Sequence, residues 1–247
     1  MTSWLRIFVL AAVGFTMLGC AKQRECAALI GLVDDDDEAI KAIDLSSKDP
    51  RKIATSTKKL ATIESKLAVD LTASTFEVKE VKQLAADYAA FARETAAAST
   101  ELASVFEKAA ELQDRVDESK ADSVTKRWAA SVQKVVARCQ AHPSAACPRF
   151  AQIIKDLPSN SDDMNAYGKA LDKAAGDLKK LSTSDATLNA DLDAVQKSTV
   201  EMAKVFVDTA DLQKKQKANA VAMDAAIAKE KPLTERVNAF CGGTAAK

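Results

Sequence analysis

From Val81 to Val116 the core-type residues recur in alternating steps of three and four: Val81, Leu84, Tyr88, Phe91, Thr95, Ala98, Leu102, Val105, Ala109, Leu112 and Val116. That rhythm is the seam of a helix packed in a bundle or coiled coil, and an alternating strand does not reproduce it. A helix from Phe76 to about Glu118 would extend roughly 65 Å at 1.5 Å per residue. The same step returns at Leu188, Leu192, Val195, Thr199, Met202, Phe206 and Thr209. Small residues in the seam let neighbouring helices approach closely. Both stripes are expected to form an intramolecular core.

Glycine and proline act as punctuation. Between Leu32 and Cys241 the only glycines are Gly168 and Gly176, a distribution that favours helix over sheet. Asp49-Pro50 places a capping acid before a proline at the first helical position. Ser74-Thr75-Phe76-Glu77 has the spacing of a capping box and is expected to close one helix and open another. Pro143 and Pro148 bracket a turn, Leu157-Pro158 with Ser161-Asp162-Asp163 marks a stop and restart, Ser184-Asp185 opens a helix, and Pro232 breaks the last one. The expected class is all-α: an elongated helical bundle with long coiled-coil-like helices.

The first twenty residues have a different character. "MTSWLR" carries Arg6, and Ile7 to Leu18 is an uncharged apolar run of twelve residues, the length of a signal h-region and short of a membrane span. Met17-Leu18-Gly19-Cys20 resembles the lipobox of bacterial lipoproteins, with Gly19 and Cys20 matching, Met17 standing where leucine is favoured and Leu18 where a small residue is favoured. The resemblance implies removal of residues 1–19 and diacylation of Cys20, so that the lipid makes the membrane contact. Two acyl chains supply the two signals that stable anchoring requires. Ala21 after the cysteine implies the outer membrane by the family's sorting pattern. Residues 20–25 are then expected to be a lipidated tether.

Loss of residues 1–19 leaves 228 of 247 residues, with 34 bases (35 less Arg6) against 35 acids. A net charge of −1 gives no electrostatic reason to expect nucleic acid. Cys26, Cys139, Cys147 and Cys241 remain, an even number that in an exported chain reads as two disulfides.

The segment "ELASVFEKAAELQ" (101–113) aligns without a gap on "EMAKVFVDTADLQ" (201–213), with seven identities in thirteen positions. Cys139 and Cys241 follow the two copies at nearly equal offsets. The expectation is therefore two related units of about four helices, 26–140 and 141–247. If each is an up-down-up-down bundle, its first and last ends meet, which favours Cys26–Cys139 and Cys147–Cys241. The alternative joins Cys139 to Cys147 locally and Cys26 to Cys241 across the chain.

Few residues suggest chemistry. Asp34-Asp35-Asp36-Asp37-Glu38 lacks the spacing and glycine of a calcium loop and reads as the solvated start of a helix. His142, the only histidine, has no nucleophile motif beside it and reads as a turn residue. Trp128 shares a stripe with Val124, Val132 and Val135 and is expected in a core. The lysine-rich "DLQKKQKANA" (211–220) has the charge to touch lipid headgroups, but acids surround it and it reads as a solvated face. No phosphate loop, HExxH or CxxC is present, and neither a metal site nor a cofactor is expected. The reading is a lipid-anchored envelope protein without catalytic activity, structural or interacting with an envelope partner. The alternative is a bundle that binds a small or lipidic ligand. A cavity lined by Trp128 or Phe106 would favour the alternative.

Overall fold

The computed structural model of the protein describes residues 21–44, 46–117, 119–120, 123–158 and 163–242. The expected signal segment and Cys20 lie outside them. Among the described residues there are helices and no strands: α1 (Ala21–Lys41), α2 (Pro50–Ala73), α3 (Lys79–Val116), α4 (Val124–Ala141), α5 (Ala146–Lys155), α6 (Met164–Leu178), α7 (Ala186–Ile227) and α8 (Glu230–Cys241). The fold is an all-α helical bundle.

Three helix starts follow from local chemistry. The Asp49 carboxylate accepts the Arg51 amide with Pro50 at the head of α2. Asp163 accepts the amides of Asn165 and Ala166 at 2.9 and 3.0 Å. Asp185 accepts those of Thr187 and Leu188 at 2.8 and 3.0 Å. Each satisfies amides that lack a partner in the first turn. The fourth start differs from the expected capping box. Ser74 closes α2 as expected, its hydroxyl donating to the Asp70 carbonyl at 2.7 Å, but α3 begins only at Lys79.

The chain divides into two compact units, but not into sequential halves. One takes the residues up to Phe106 together with those from Gln216 on; the other is Glu107–Lys215. The expected boundary near residue 140 fails because α3 and α7 each supply residues to both units. The first unit has one core, with Leu29, Val33, Leu67, Leu71, Val81, Leu84, Tyr88 and Phe91 packed with Val237 of α8. The second unit has two clusters. One gathers Val135, Phe150, Leu178, Leu188, Leu192 and Val195, and the other Val124, Leu171, Met202, Ala203 and Val205. Full burial of a side chain of this size contributes roughly 1.5–3 kcal/mol relative to exposure.

The predicted seam of α3 holds for its first half. Val81, Leu84, Tyr88, Phe91 and Thr95 are buried. Further on Val105 stays buried, but Ser99, Ala103 and Ala110 are buried where Ala98, Leu102 and Ala109 are only partly so. A straight helix drifts by about 20° per heptad against a 3.5-residue repeat, so the buried stripe moves to the next residue. In α7, Leu188, Leu192, Val195, Thr199 and Met202 are buried as expected; beyond them Ala203 and Ala210 shift by one residue in the same direction, while Val205 is buried in place of Phe206.

Candidate functional site

The start of α1 is the most heavily tied part of the first unit. The Glu25 carboxylate accepts the backbone N–H of Glu77 at 3.1 Å and of Val78 at 2.9 Å, capping the approach to α3 from fifty residues away. One residue on, Cys26 is bonded to Cys241 at the end of α8, with the Cα atoms 5.5 Å apart. Lys22 places its ammonium 4.1 Å from the centre of the Phe240 ring, a cation–π contact on the same pair of helices. Helix α8 is held to α3 by Tyr88 and Thr234, whose hydroxyls lie 2.8 Å apart, and by Arg236, which donates to Asp87 at 2.7 Å. The result is a clasp of α1, the α2–α3 turn, α3 and α8.

Two expectations are corrected here. Residues 21–25 are not a tether: α1 begins at Ala21 and its first two turns are fixed on both sides. The disulfides also join helices of the two sequence halves to each other. Cys139 pairs with Cys147, with Cα atoms 5.7 Å apart, across the short turn between α4 and α5. The within-unit pairing assumed that α4 returns to the start of α1; it is α8 that lies there.

The acidic run is corrected as well. Asp34 to Glu38 fall in the second half of α1, not at a helix start, and Asp36 and Asp37 are 5% and 3% exposed. No glycine or proline interrupts the chain between Gly31 and this run, and the helix continues through it. Burial, then the neighbouring Asp37 charge, raises the Asp34 carboxyl above the usual carboxylate range. Glu64 of α2 is also buried, at 1%. Among the described residues no group of three or more His, Cys, Asp or Glu side chains is arranged to hold a metal ion.

In the second unit, Trp128 packs partly buried in a core cluster and donates its indole N–H to Thr199 at 3.0 Å. His142 caps α4 on the exposed turn, as expected. Arg138 donates to Asp191 at 2.7 Å, and the Asp185 carboxylate is held below its usual range, first by the Leu188 amide and further by Arg138 and His142. Glu201 of α7 accepts from Arg127 of α4 at 2.6 Å and Arg115 of α3 at 3.3 Å. The Arg127 hydrogen bond is the main cause of its lowered pKa, with both guanidinium charges adding to it. Lys214, Lys215 and Lys217 are exposed on α7.

Open grooves lie on the surface of the described residues, two of them larger than about 300 Å³. One, of about 610 Å³, runs between α2 and α3 beside Ala68, Val69, Thr72, Arg93 and Ala97. The other, of about 360 Å³, borders the Cys139–Cys147 bond. Neither is lined by Trp128 or Phe106. Among the described residues no helix is long and apolar enough to cross a membrane. Comparison with protein families, curated proteins and solved structures finds no match to this chain.

The ties around α1 were missed because no short-range signal marks Glu25, Lys22 or Phe240. Only Cys26 and Cys241 advertised a link, and their spacing alone did not choose the partner.

Proposed function

We propose that the chain is a lipoprotein of a bacterial envelope, held at the outer membrane by acyl groups on Cys20, with a structural or protein-interaction role and no catalytic step. The lipobox-like MLGC suggests the attachment point. The observation that carries the reading is the clasp: Ala21, the residue after Cys20, is already helical, Glu25 is fixed to the α2–α3 turn, and Cys26 is bonded to α8. A lipid on Cys20 would therefore load a braced helical body and not a slack linker. Such an attachment suits a protein that positions a surface near the membrane.

The reading includes a duplicated helical body. Positions one hundred residues apart share burial: Tyr88 and Leu188, Ser99 and Thr199, Ala103 and Ala203, Val105 and Val205, and Ala110 and Ala210. The helix order is also repeated, with α1–α4 matched by α5–α8 and the long helix third in each set. On this reading the copies exchange partners. The first two helices of one copy share a unit with the last helix of the other, and each disulfide joins the start of one copy to the end of the other. The repeated positions of the four cysteines then have one explanation.

Metabolic labelling with a palmitate analogue in the native cell tests the anchor. The protein should be labelled and should fractionate with membranes, and Cys20→Ser should lose both properties. Labelling that survives in the mutant would overturn the assignment. A second reading, a lipidic ligand, is favoured only by the open α2–α3 groove, where Val69 is 65% exposed beside Arg93. Delipidated protein that takes up a fluorescent fatty acid, with loss of uptake in Val69→Asp, would support it.

A further inference from the structure

The two disulfides occupy opposite environments. Cys26 and Cys241 are 5% and 8% exposed within the core of the first unit. Cys139 and Cys147 are partly exposed and border an open groove beside Val136, Pro143, Pro148 and Phe150, with room for a small thiol in about 360 Å³. The sulfurs of the accessible pair also differ from each other. Cys147 is the second residue of α5, a helix with no acid in its first turn, and the Ser144 hydroxyl lies 3.7 Å from its Sγ. Cys139 sits in the last turn of α4, at the negative end of that helix. The positive end of a helix and a nearby hydroxyl stabilise a thiolate, and the negative end opposes one.

We propose that Cys139–Cys147 is an exchange-competent disulfide that small thiols reduce, with Cys139 as the sulfur attacked and Cys147 as the leaving thiolate. The thiolate of the incoming thiol forms a bond to Cys139 Sγ. The Sγ–Sγ bond breaks, and its electron pair leaves on Cys147. A second thiol attacks the mixed disulfide and releases Cys139. Two thiols are thereby oxidised to one disulfide, their two protons are released or taken up by the cysteine thiolates, and the protein gains the two electrons. Opening the bond leaves α4 and α5 joined by the turn at residues 142–145 and packed through Val135, Phe150 and Leu188. The reduced form therefore keeps its helices.

The experiment treats the mature chain with graded reduced glutathione, quenches with acid, alkylates the free thiols and maps the tryptic peptides. Expected is alkylation of the peptide from Cys139 to Arg149 at least about tenfold faster than that of Cys26 and Cys241, with the helical circular dichroism signal unchanged. Trapped glutathione should be found on Cys139. Simultaneous opening of both disulfides with loss of helix, or glutathione predominantly on Cys147, would overturn the proposal. In Cys139→Ser the freed Cys147 should react with iodoacetamide with a pH midpoint below the ordinary value of about 8.5. A midpoint at or above that value also overturns it.

Discussion

Gly168 and Gly176 sit eight residues apart in α6, yet their substitution should have opposite effects. A Cβ on Gly168 would stand 2.7 Å from Cγ2 of Val207 and 3.1 Å from the Ala203 carbonyl oxygen, so α6 lies on α7 only because no side chain intervenes. Gly168→Ala should cost roughly 1–3 kcal/mol through overpacking. A Cβ on Gly176 meets nothing within 4 Å on an exposed face, so Gly176→Ala should gain about 0.5–1 kcal/mol from lower backbone entropy in the unfolded chain. Urea unfolding of the two variants checks both signs. Ser99 and Thr199 form a second contrast. Both are 0% exposed, but the Ser99 hydroxyl has no hydrogen-bond partner, while Thr199 accepts the Trp128 indole and donates to the Val195 carbonyl. Ser99→Ala should be neutral or stabilising by up to about 1 kcal/mol, and Thr199→Val should cost about 1–3 kcal/mol by stranding the indole N–H. The same unfolding assay separates them.

For the helices, legibility depended on the range of the deciding interaction. Asp49, Asp163 and Asp185 cap from two or three residues away, so their helix starts were visible in the sequence. The start of α3 is not visible locally, because Glu25 fixes the segment before it through the fold, accepting the amides of Glu77 and Val78. The acidic run reads as a helix start from its charge alone, and the packing that draws Asp36 and Asp37 inside has no local signal in the sequence. The seam was legible as a period, but a strict heptad cannot follow a straight helix over five repeats. The tie between α3, α4 and α7 through Arg115, Arg127 and Glu201 carries a pH prediction. Because folding lowers the Glu201 pKa, its contribution is present above the unfolded glutamate value and is lost as pH falls through the folded one. Glu201→Gln should destabilise the protein at pH 7 by less than about 1 kcal/mol, since the pair is solvent-screened, and the difference from wild type should vanish at low pH. Urea midpoints measured between pH 7 and 3 test this. A difference that grows on acidification would contradict it.

For the whole molecule, the disulfide pairing was not legible, since it depends on α8 returning to α1. The two bonds close very different loops, with sequence separations of 215 and 8. The chain-entropy account gives about 5 kcal/mol for the long closure and about 2.5 kcal/mol for the short one. Cys26→Ala with Cys241→Ala should therefore lower the thermal midpoint more than Cys139→Ala with Cys147→Ala. Equal losses would contradict the clasp as the main covalent restraint. As proposed above, the helical body is loaded through Cys20 and closed by these two bonds. Intact mass spectrometry of the protein from its native membranes tests this most directly. The expected mass is that of a chain beginning at Cys20, heavier by its acyl groups and lighter by four hydrogens than the reduced polypeptide. An unmodified mass, or a chain beginning elsewhere, would contradict it.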